Sequence, residues 1–283
     1  MSLSGKSRVY GLLGDPVAHS LSPLMQNHAF HSYGIDAVYT PFHVVPNNLP
    51  AAVAGLRALD IAGVSVTIPH KETILALLDQ VDPAAQLIGA VNTVVNNNGS
   101  LIGHNTDASG FISTIQQELN FQPAGHEVLI LGAGGACRAA AVALASADVK
   151  TITIANRHQA RAEKLVNDLE VHFPAVQFSA TNYLSGLFLD SLSAVDLVVN
   201  TTSVGLHGED VSFLPLENIK CSALIFDMIY SPSETPLIKN ARSLGLVCAD
   251  GLGMLAAQGE DAFYLWTGIR LPAGFMRNFL MSG

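Results

Sequence analysis

An α/β protein of two domains, built on parallel sheets, is the architecture this sequence predicts. Three observations predict it. The chain has 283 residues, too many for one small core and enough for two domains. Strand-like and helix-like segments alternate almost throughout. A glycine-rich turn, Gly132-Ala133-Gly134-Gly135, separates a strongly apolar strand from a helix near the middle of the chain.

Taken in order, Val9–Leu13 is a short apolar strand. Ser22-Pro23 opens a helix to about Tyr33, with Ser22 expected at the N-cap and Pro23 at the first helical position. Val38–Val44 reads as a strand, Leu49–Leu59 as a helix, and Ile61–Ile68 as a strand stopped by Pro69. A helix from about Lys71 to Leu78 follows. Val91–Val95 and Ser100–His104 form the arms of a hairpin around Asn96-Asn97-Asn98-Gly99, residues that tolerate positive φ. Asp107 caps a helix to about Asn120, and Gln122-Pro123-Ala124-Gly125 breaks the pattern. The domain transition falls around residues 105–125.

The second half repeats strand–helix units: strand Glu127–Leu131, helix Gly135–Ala145, strand Thr151–Ala155 and helix Gln159–Phe173. Further strands are Val176–Ser179, Leu197–Asn200, Leu224–Asp227 and Leu246–Cys248. Helices Pro236–Leu244, Met254–Thr267 and Pro272–Met281 complete the chain.

Composition removes several functional classes. Hydrophobic residues make up 49% and charged residues 13%, and the mean hydropathy is +0.35. These values reflect Ala, Val and Leu spread over many elements, because no uncharged apolar run reaches the ~20 residues of a membrane span. The stretch Val128 to Ala147 is interrupted by Gly132, Gly134, Gly135 and Arg138. No secretion signal is read at the N-terminus. With 14 basic against 23 acidic residues, the net charge is −9; no basic run is present, so nucleic acid is not an expected partner. Cys137, Cys221 and Cys248 are odd in number and far apart. They form neither a disulfide framework nor a metal site, and a reducing cytoplasm fits them best.

The strand Val128–Leu131 runs directly into Gly132-Ala133-Gly134-Gly135-Ala136 and a helix. Glycines in that order let backbone N–H groups approach a pyrophosphate, and the helix N-terminus favours its charge. This is a Rossmann-type dinucleotide arrangement. The usual third glycine position holds the small Cys137. The next strand ends at Asn156-Arg157, with Arg161 beyond it, where an NAD site would place an acidic residue. Guanidinium groups pair with a 2′-phosphate and a carboxylate would repel it, so NADP is the expected cofactor. Arg161 at i+4 is expected on the same helix face as Arg157.

Three polar clusters sit where apolar strands end. Ser20 and Ser22 precede a helix, and hydroxyls with a helix N-terminus can hold an anion. Ser65, Thr67 and Lys71 follow one strand. Asn92-Thr93 lies on one hairpin arm and Asn105-Thr106-Asp107 beyond the other, which brings Asn92 and Asp107 to the same end of the sheet. Read alone, Ser22 and Asp107 are helix caps and Lys71 a solvated surface lysine.

The same segments resemble the shikimate dehydrogenase family, with its quinate/shikimate relatives. Residues 14–23 (GDPVAHSLSP), 63–71 (GVSVTIPHK), 89–93 (GAVNT) and 103–107 (GHNTD) are similar to successive family motifs. The likeness continues through the glycine loop, Asn156-Arg157, residues 200–205 (NTTSVG), 227–230 (DMIY) and 251–259 (GLGMLAAQG). It therefore runs, in order, over nearly the whole chain.

The resemblance implies reversible NADP-dependent reduction of 3-dehydroshikimate to shikimate, on the route to chorismate and the aromatic amino acids. It implies that Ser20 and Ser22 bind the substrate carboxylate. Ser65, Thr67, Asn92, Asp107 and Gln258 would hold ring hydroxyls with Tyr230 nearby, while Lys71 and Asp107 act at the reacting oxygen. NADP would lie on Gly132, Ala133, Gly134, Gly135, Ala136, Asn156, Arg157 and Arg161, with Met228 and Gly251 lining its nicotinamide end. The expected organisation is a substrate domain over residues 1–106, completed by 250–283 packing back on it, and an NADP domain over 107–249. A metal-free cytoplasmic monomer or homodimer is expected. Ser65 stands where the family often has Asn, Ala108 where it often has Gly, and His158 where it often has Thr. Ser65 keeps a quinate/shikimate dehydrogenase of broader specificity as the alternative. A silent NADP-binding regulator would not need Lys71 and Asp107 together. Desolvation favours a neutral lysine and a carboxylate neighbour favours the cation, so two roles stay open for Lys71: proton acceptor or stabilising cation.

Overall fold

The computed structural model describes residues 3–183, 185–230 and 234–282. The chain forms two compact units, Met1–Gly110 with Leu255–Gly283, and Phe111–Met254.

The first unit begins β1 (Arg8–Gly14), α1 (Ser22–Ser32), β2 (Ala37–His43), α2 (Leu49–Ala58) and β3 (Gly63–Val66). It continues β4 (Gln80–Val81), α3 (Pro83–Ile88), β5 (Thr93–Asn97), β6 (Ser100–His104) and the start of α4 (Asp107–Glu118). The strand order is β2-β1-β3-β5-β6-β4. β1 runs parallel to β2 and β3, while β5 is antiparallel to β3 and β6, so this sheet is mixed. Asn98 and Gly99 turn the hairpin, both at positive φ.

The second unit holds β7 (Glu127–Leu131), α5 (Gly135–Ser146), β8 (Thr151–Ala155), α6 (Gln159–Glu170) and β9 (Gln177–Thr181). Then come α7 (Gly186–Ala194), β10 (Leu197–Asn200), β11 (Leu224–Asp227), α8 (Pro236–Ser243) and β12 (Val247–Ala249). Every pairing is parallel and the order is β12-β11-β10-β7-β8-β9. The chain leaves β7 toward one edge and returns at β10 on its other side. In such sheets ligands bind at the carboxyl ends of the strands flanking that reversal. Here those ends are Leu131, which enters the glycine loop, and Asn200.

The chain closes with α9 (Leu252–Thr267) and α10 (Phe275–Ser282). As expected, these helices complete the first unit's core: Phe263, Trp266 and Met276 pack with Tyr10, Leu12, Met25, Phe30 and Tyr39. Trp266 Nε1 also donates to Val94 O at 3.0 Å. The opposite face buries Leu13, Val53, Leu56, Val64, Val66 and Val94. Alternate residues of β1 thus serve the two faces, the period of a strand buried on both sides. Each large apolar side chain so buried contributes about 1.5–3 kcal/mol relative to exposure.

Several elements differ from the sequence reading. Residues 71–78 do not form an α-helix; Thr73–Leu77 is a single 3₁₀ segment. Asp79 explains this: its N–H donates to Leu101 O at 3.1 Å and its Oδ2 accepts from Leu101 N at 2.7 Å, drawing the chain into β4 after one tight turn. β5 starts at Thr93 rather than Val91, because Val91 N–H bonds to Lys71 O instead of a strand neighbour. α3 and α7 were not read from the sequence. Asp82 caps α3 through Ala84 N and Ala85 N, and Ser185 caps α7 through Phe188 N.

Candidate active site

Lys71 lies just beyond β3, on a segment fixed at both flanks. His70 is buried, with Nε2 2.6 Å from Val44 O, and Val91 N–H donates to Lys71 O at 2.8 Å. Lys71 Nζ donates to Asp107 Oδ2 at 2.6 Å, with 29% and 13% of the two side chains exposed. Partial burial strengthens such a pair and limits its screening by water.

Asp107 is the first residue of α4, not its cap. Asn105 Oδ1 takes the capping role, accepting from Asp107 N at 3.0 Å and Ala108 N at 3.2 Å. The Asp107 carboxylate is therefore free to face Lys71. Its other oxygen accepts from Asn92 Nδ2 at 2.9 Å.

Asn92 organises the cluster. Its Nδ2 also lies 2.9 Å from Thr106 Oγ1 and 3.3 Å from Gln258 Oε1, and its Oδ1 accepts from Thr106 N at 2.7 Å. Its backbone is tied to two strands, donating to His104 O at 3.0 Å and accepting from Val66 N at 2.7 Å. Gln258 reaches the group from α9, where its Nε2 donates to Leu255 O at 2.7 Å. Lys71, Asn92, Asp107 and Gln258 thus form one hydrogen-bonded constellation, drawn from residues up to 187 positions apart (258 − 71). A lysine ammonium has three donors and a carboxylate about four acceptor sites, so both members of the pair retain capacity for a ligand oxygen.

Ser22 is likewise not a cap. α1 begins at Ser22 with Leu21 as cap residue, and Ser20 Oγ accepts from Ser22 N at 3.2 Å. The Ser22 and Ser65 hydroxyls stand beside the buried Tyr39 phenol, whose pKa is raised by burial and drawn back by those two neighbours. Thr67 packs against Gly14, where an added Cβ would lie 2.3 Å from Thr67 Cγ2.

In the second unit, Gly132 adopts φ +113, and an added Cβ would meet Thr201 Oγ1 at 2.6 Å. Only glycine fits that bend. Gly134 caps α5 with no side-chain hydrogen bond, and open space surrounds it. Ala133 and Gly135 are half-buried and Ala136 is exposed, so the first N–H groups of a 12-residue helix face an open surface. That cradle fits a pyrophosphate. Cys137 is buried, and burial pushes its thiol up to about 12, which leaves it a small packing residue.

Arg157 is not on α6. It precedes the cap residue His158, so the expected i,i+4 pairing with Arg161 does not arise; Asn156 Nδ2 donates to His158 O at 2.9 Å and shapes that turn. Both arginines are exposed and neither enters an ion pair among the described residues.

Met228 and Tyr230 follow a buried carboxylate that sequence reasoning left without a role. Asp227 Oδ1 accepts from Asn200 Nδ2 at 2.9 Å and Ile229 N at 3.1 Å, and Oδ2 accepts from Thr235 Oγ1 at 2.7 Å. Burial raises its pKa. These bonds fix the turn carrying Met228 and the half-buried Tyr230, whose own pKa burial also raises. A Cβ on Gly251 would lie 2.2 Å from Met228 O, so the two backbones touch there. An acidic residue ending the otherwise apolar strand Leu224–Asp227 was the available signal. Among the described residues no group of three or more His, Cys, Asp or Glu is placed to hold a metal, and no helix is long and apolar enough to cross a membrane.

Three family models match the chain: the shikimate dehydrogenase substrate binding domain over residues 12–94, shikimate/quinate 5-dehydrogenase over 114–205, and the shikimate 5′-dehydrogenase C-terminal domain over 251–280. A Geobacter metallireducens protein named shikimate dehydrogenase (NADP(+)) is 48% identical over 282 residues, covering 100% of this chain and 99% of its own. The chain belongs to the shikimate dehydrogenase family. Shikimate 5-dehydrogenase from Listeria monocytogenes, solved with shikimate and NAD, superposes with a TM-score of 0.91 at 34% identity, covering 99% of this chain and 98% of its own. The Thermus thermophilus enzyme, solved with NADP(H) and shikimate, gives 0.84 at 37% identity, covering 97% and 99%. The two-unit α/β architecture is thus that of the family.

Proposed function

We propose that this protein is an NADP-dependent shikimate dehydrogenase that reversibly reduces 3-dehydroshikimate to shikimate, a step toward chorismate and the aromatic amino acids. The observation that carries this reading is the 2.6 Å Lys71–Asp107 pair, held by Asn92 and Gln258 in a chain of this family. Ser20 and Ser22 bind the carboxylate with their hydroxyls at the start of α1. Ser65, Thr67, Asn92, Asp107 and Gln258 hold the ring hydroxyls, with Tyr230 as a further substrate-binding residue.

A bound NADP would supply the acceptor or donor of the hydride at the ring carbon. Gly132–Ala136 would hold its pyrophosphate, Asn156, Arg157 and Arg161 its adenosine 2′-phosphate, and Met228 and Gly251 its nicotinamide end. Lys71 holds the reacting oxygen through an N–H not used by Asp107. In the oxidation direction the Lys71 ammonium stabilises the developing alkoxide while water carries the hydroxyl proton away; reduction returns a proton from water to the same oxygen. Three separated thiols fit a reducing cytoplasm.

Steady-state rates with shikimate and quinate, each with NADP and NAD, test the reading. Preference for shikimate with NADP is expected. Comparable kcat/KM for quinate would move the protein to the broader-specificity alternative, and absence of shikimate-dependent NADPH formation would overturn the proposal.

A further inference from the structure

Among the described residues Asp227 is the only buried carboxylate, and the proposed reaction leaves it unused. Its hydrogen-bond partners are neutral groups that donate to it: Asn200 Nδ2, Ile229 N and Thr235 Oγ1. Amide N–H groups only donate, so this setting suits an ionised acid. No cation answers the charge. Among the described residues Asp227 joins no ion pair, and the charged group that acts on it is Asp250, of the same sign. An asparagine there could accept from Asn200 and Ile229 through its oxygen and donate to the Thr235 hydroxyl, at lower desolvation cost. What it could not supply is the charge.

Both acids directly precede the residues proposed for the nicotinamide end. Asp227 comes before Met228, and Asp250 before Gly251. The two segments touch: Gly251 N donates to Ile229 O at 3.2 Å, beside the close approach of Gly251 to Met228 O. On its other side Asp227 is tied to the loop after β10. Asn200 Oδ1 accepts there from Thr202 N at 3.1 Å and Thr202 Oγ1 at 2.7 Å, and Met228 N donates to Asn200 O at 3.0 Å. The carboxylate is thus built into the ends of β10 and β11, the end of a parallel sheet at which ligands bind. A buried charge is screened far less than one in water, so its field reaches that end.

We infer that Asp227, reinforced by Asp250, sets the protein's preference between the two redox states of its cofactor by holding the nicotinamide end at negative potential. This rests on the proposed function, which puts the nicotinamide beside Met228 and Gly251. The nicotinamide ring carries a positive charge in NADP+ and none in NADPH. The rest of the cofactor is the same in both, so most contacts serve the two forms alike. A buried negative charge discriminates, because it attracts only the oxidised ring; charge placed near a reacting ring is one means by which a protein tunes a cofactor. Asp250 is half-buried and accepts from Leu252 N at 3.0 Å, so it adds to the potential more weakly.

The test is Asp227→Asn, read by equilibrium binding of NADP+, NADPH and 2′-phospho-ADP-ribose, which lacks the nicotinamide. Kd for NADP+ is expected to rise about fivefold or more, with the other two ligands within about twofold. Asp250→Asn keeps an acceptor for Leu252 N, and is expected to raise Kd for NADP+ about threefold with the same two controls unmoved. It carries the test should Asp227→Asn not fold. An equal loss for NADP+ and NADPH, with the nicotinamide-free ligand unaffected, would make Asp227 a shaper of the turn and overturn the inference. An equal loss for all three would make it structural, with the same result. Wild-type protein that binds neither cofactor would remove the proposed function, and this inference with it; normal wild-type binding with unchanged Kd ratios in both variants would remove this inference alone.

Discussion

The two units build their candidate sites from different materials. In the first, side chains do the work: Lys71, Asn92, Asp107 and Gln258 are brought together from four separate segments and joined by hydrogen bonds. In the second, the backbone does it: Gly132 turns the chain at positive φ, Gly134 and Gly135 open the start of α5, and Gly251 lets two backbone segments touch. The difference teaches where each site is vulnerable. A side-chain constellation loses chemistry when one group changes and keeps its fold. A backbone cradle loses its shape when any Cβ is added at a crowded point.

The sharpest way to break that contrast is Lys71→Met. Stability should hardly change, because Asp107 keeps Asn92, but kcat should fall by at least ~10²-fold with little change in KM, as for a group acting mainly in the transition state. Near-normal turnover would show that the side-chain site does not carry the reaction. Gly251→Ala applies the converse pressure. Its Cβ would meet Met228 O at 2.2 Å, so about 1–3 kcal/mol of stability should be lost, seen in denaturant unfolding, even though no side chain was removed. An unchanged midpoint would mean that the backbone yields there at no cost. Arg157→Ala should raise KM for NADP by about tenfold and leave KM for NAD almost unchanged, the mark of a lost charge-assisted contact to the 2′-phosphate; equal effects on both cofactors would move Arg157 off that phosphate. Asn105→Ala should cost about 0.5–2 kcal/mol through the lost cap. It should also lower kcat modestly, because Asp107 would then compete for its own helix N-terminus.

Much of this was legible before the structure. The parallel sheet, the glycine loop and the ordered polar motifs follow from periodicity and turn chemistry, which are local. What was not legible depended on competition between neighbours. Ser22 and Asp107 both have the chemistry of caps, and nothing in their spacing says that Leu21 and Asn105 occupy those positions instead. The helix expected after Lys71 was overruled by Asp79, whose partner Leu101 lies 22 residues away. Arg157 and Arg161 have helical spacing, but the helix begins between them. Gln258 joined the site only because α9 folds back over a core formed by the first hundred residues. Local rules see none of these long-range bonds.

That return of the chain has a consequence for how the protein is made. The second unit is one continuous stretch, Phe111–Met254, whereas the first is split, with Leu255–Gly283 needed to complete it. During synthesis the earlier-born sheet must wait, its Tyr10, Leu12 and Phe30 uncovered, until Phe263, Trp266 and Met276 arrive. The second unit can close first. Gln258 arrives with the segment that completes the first unit's core.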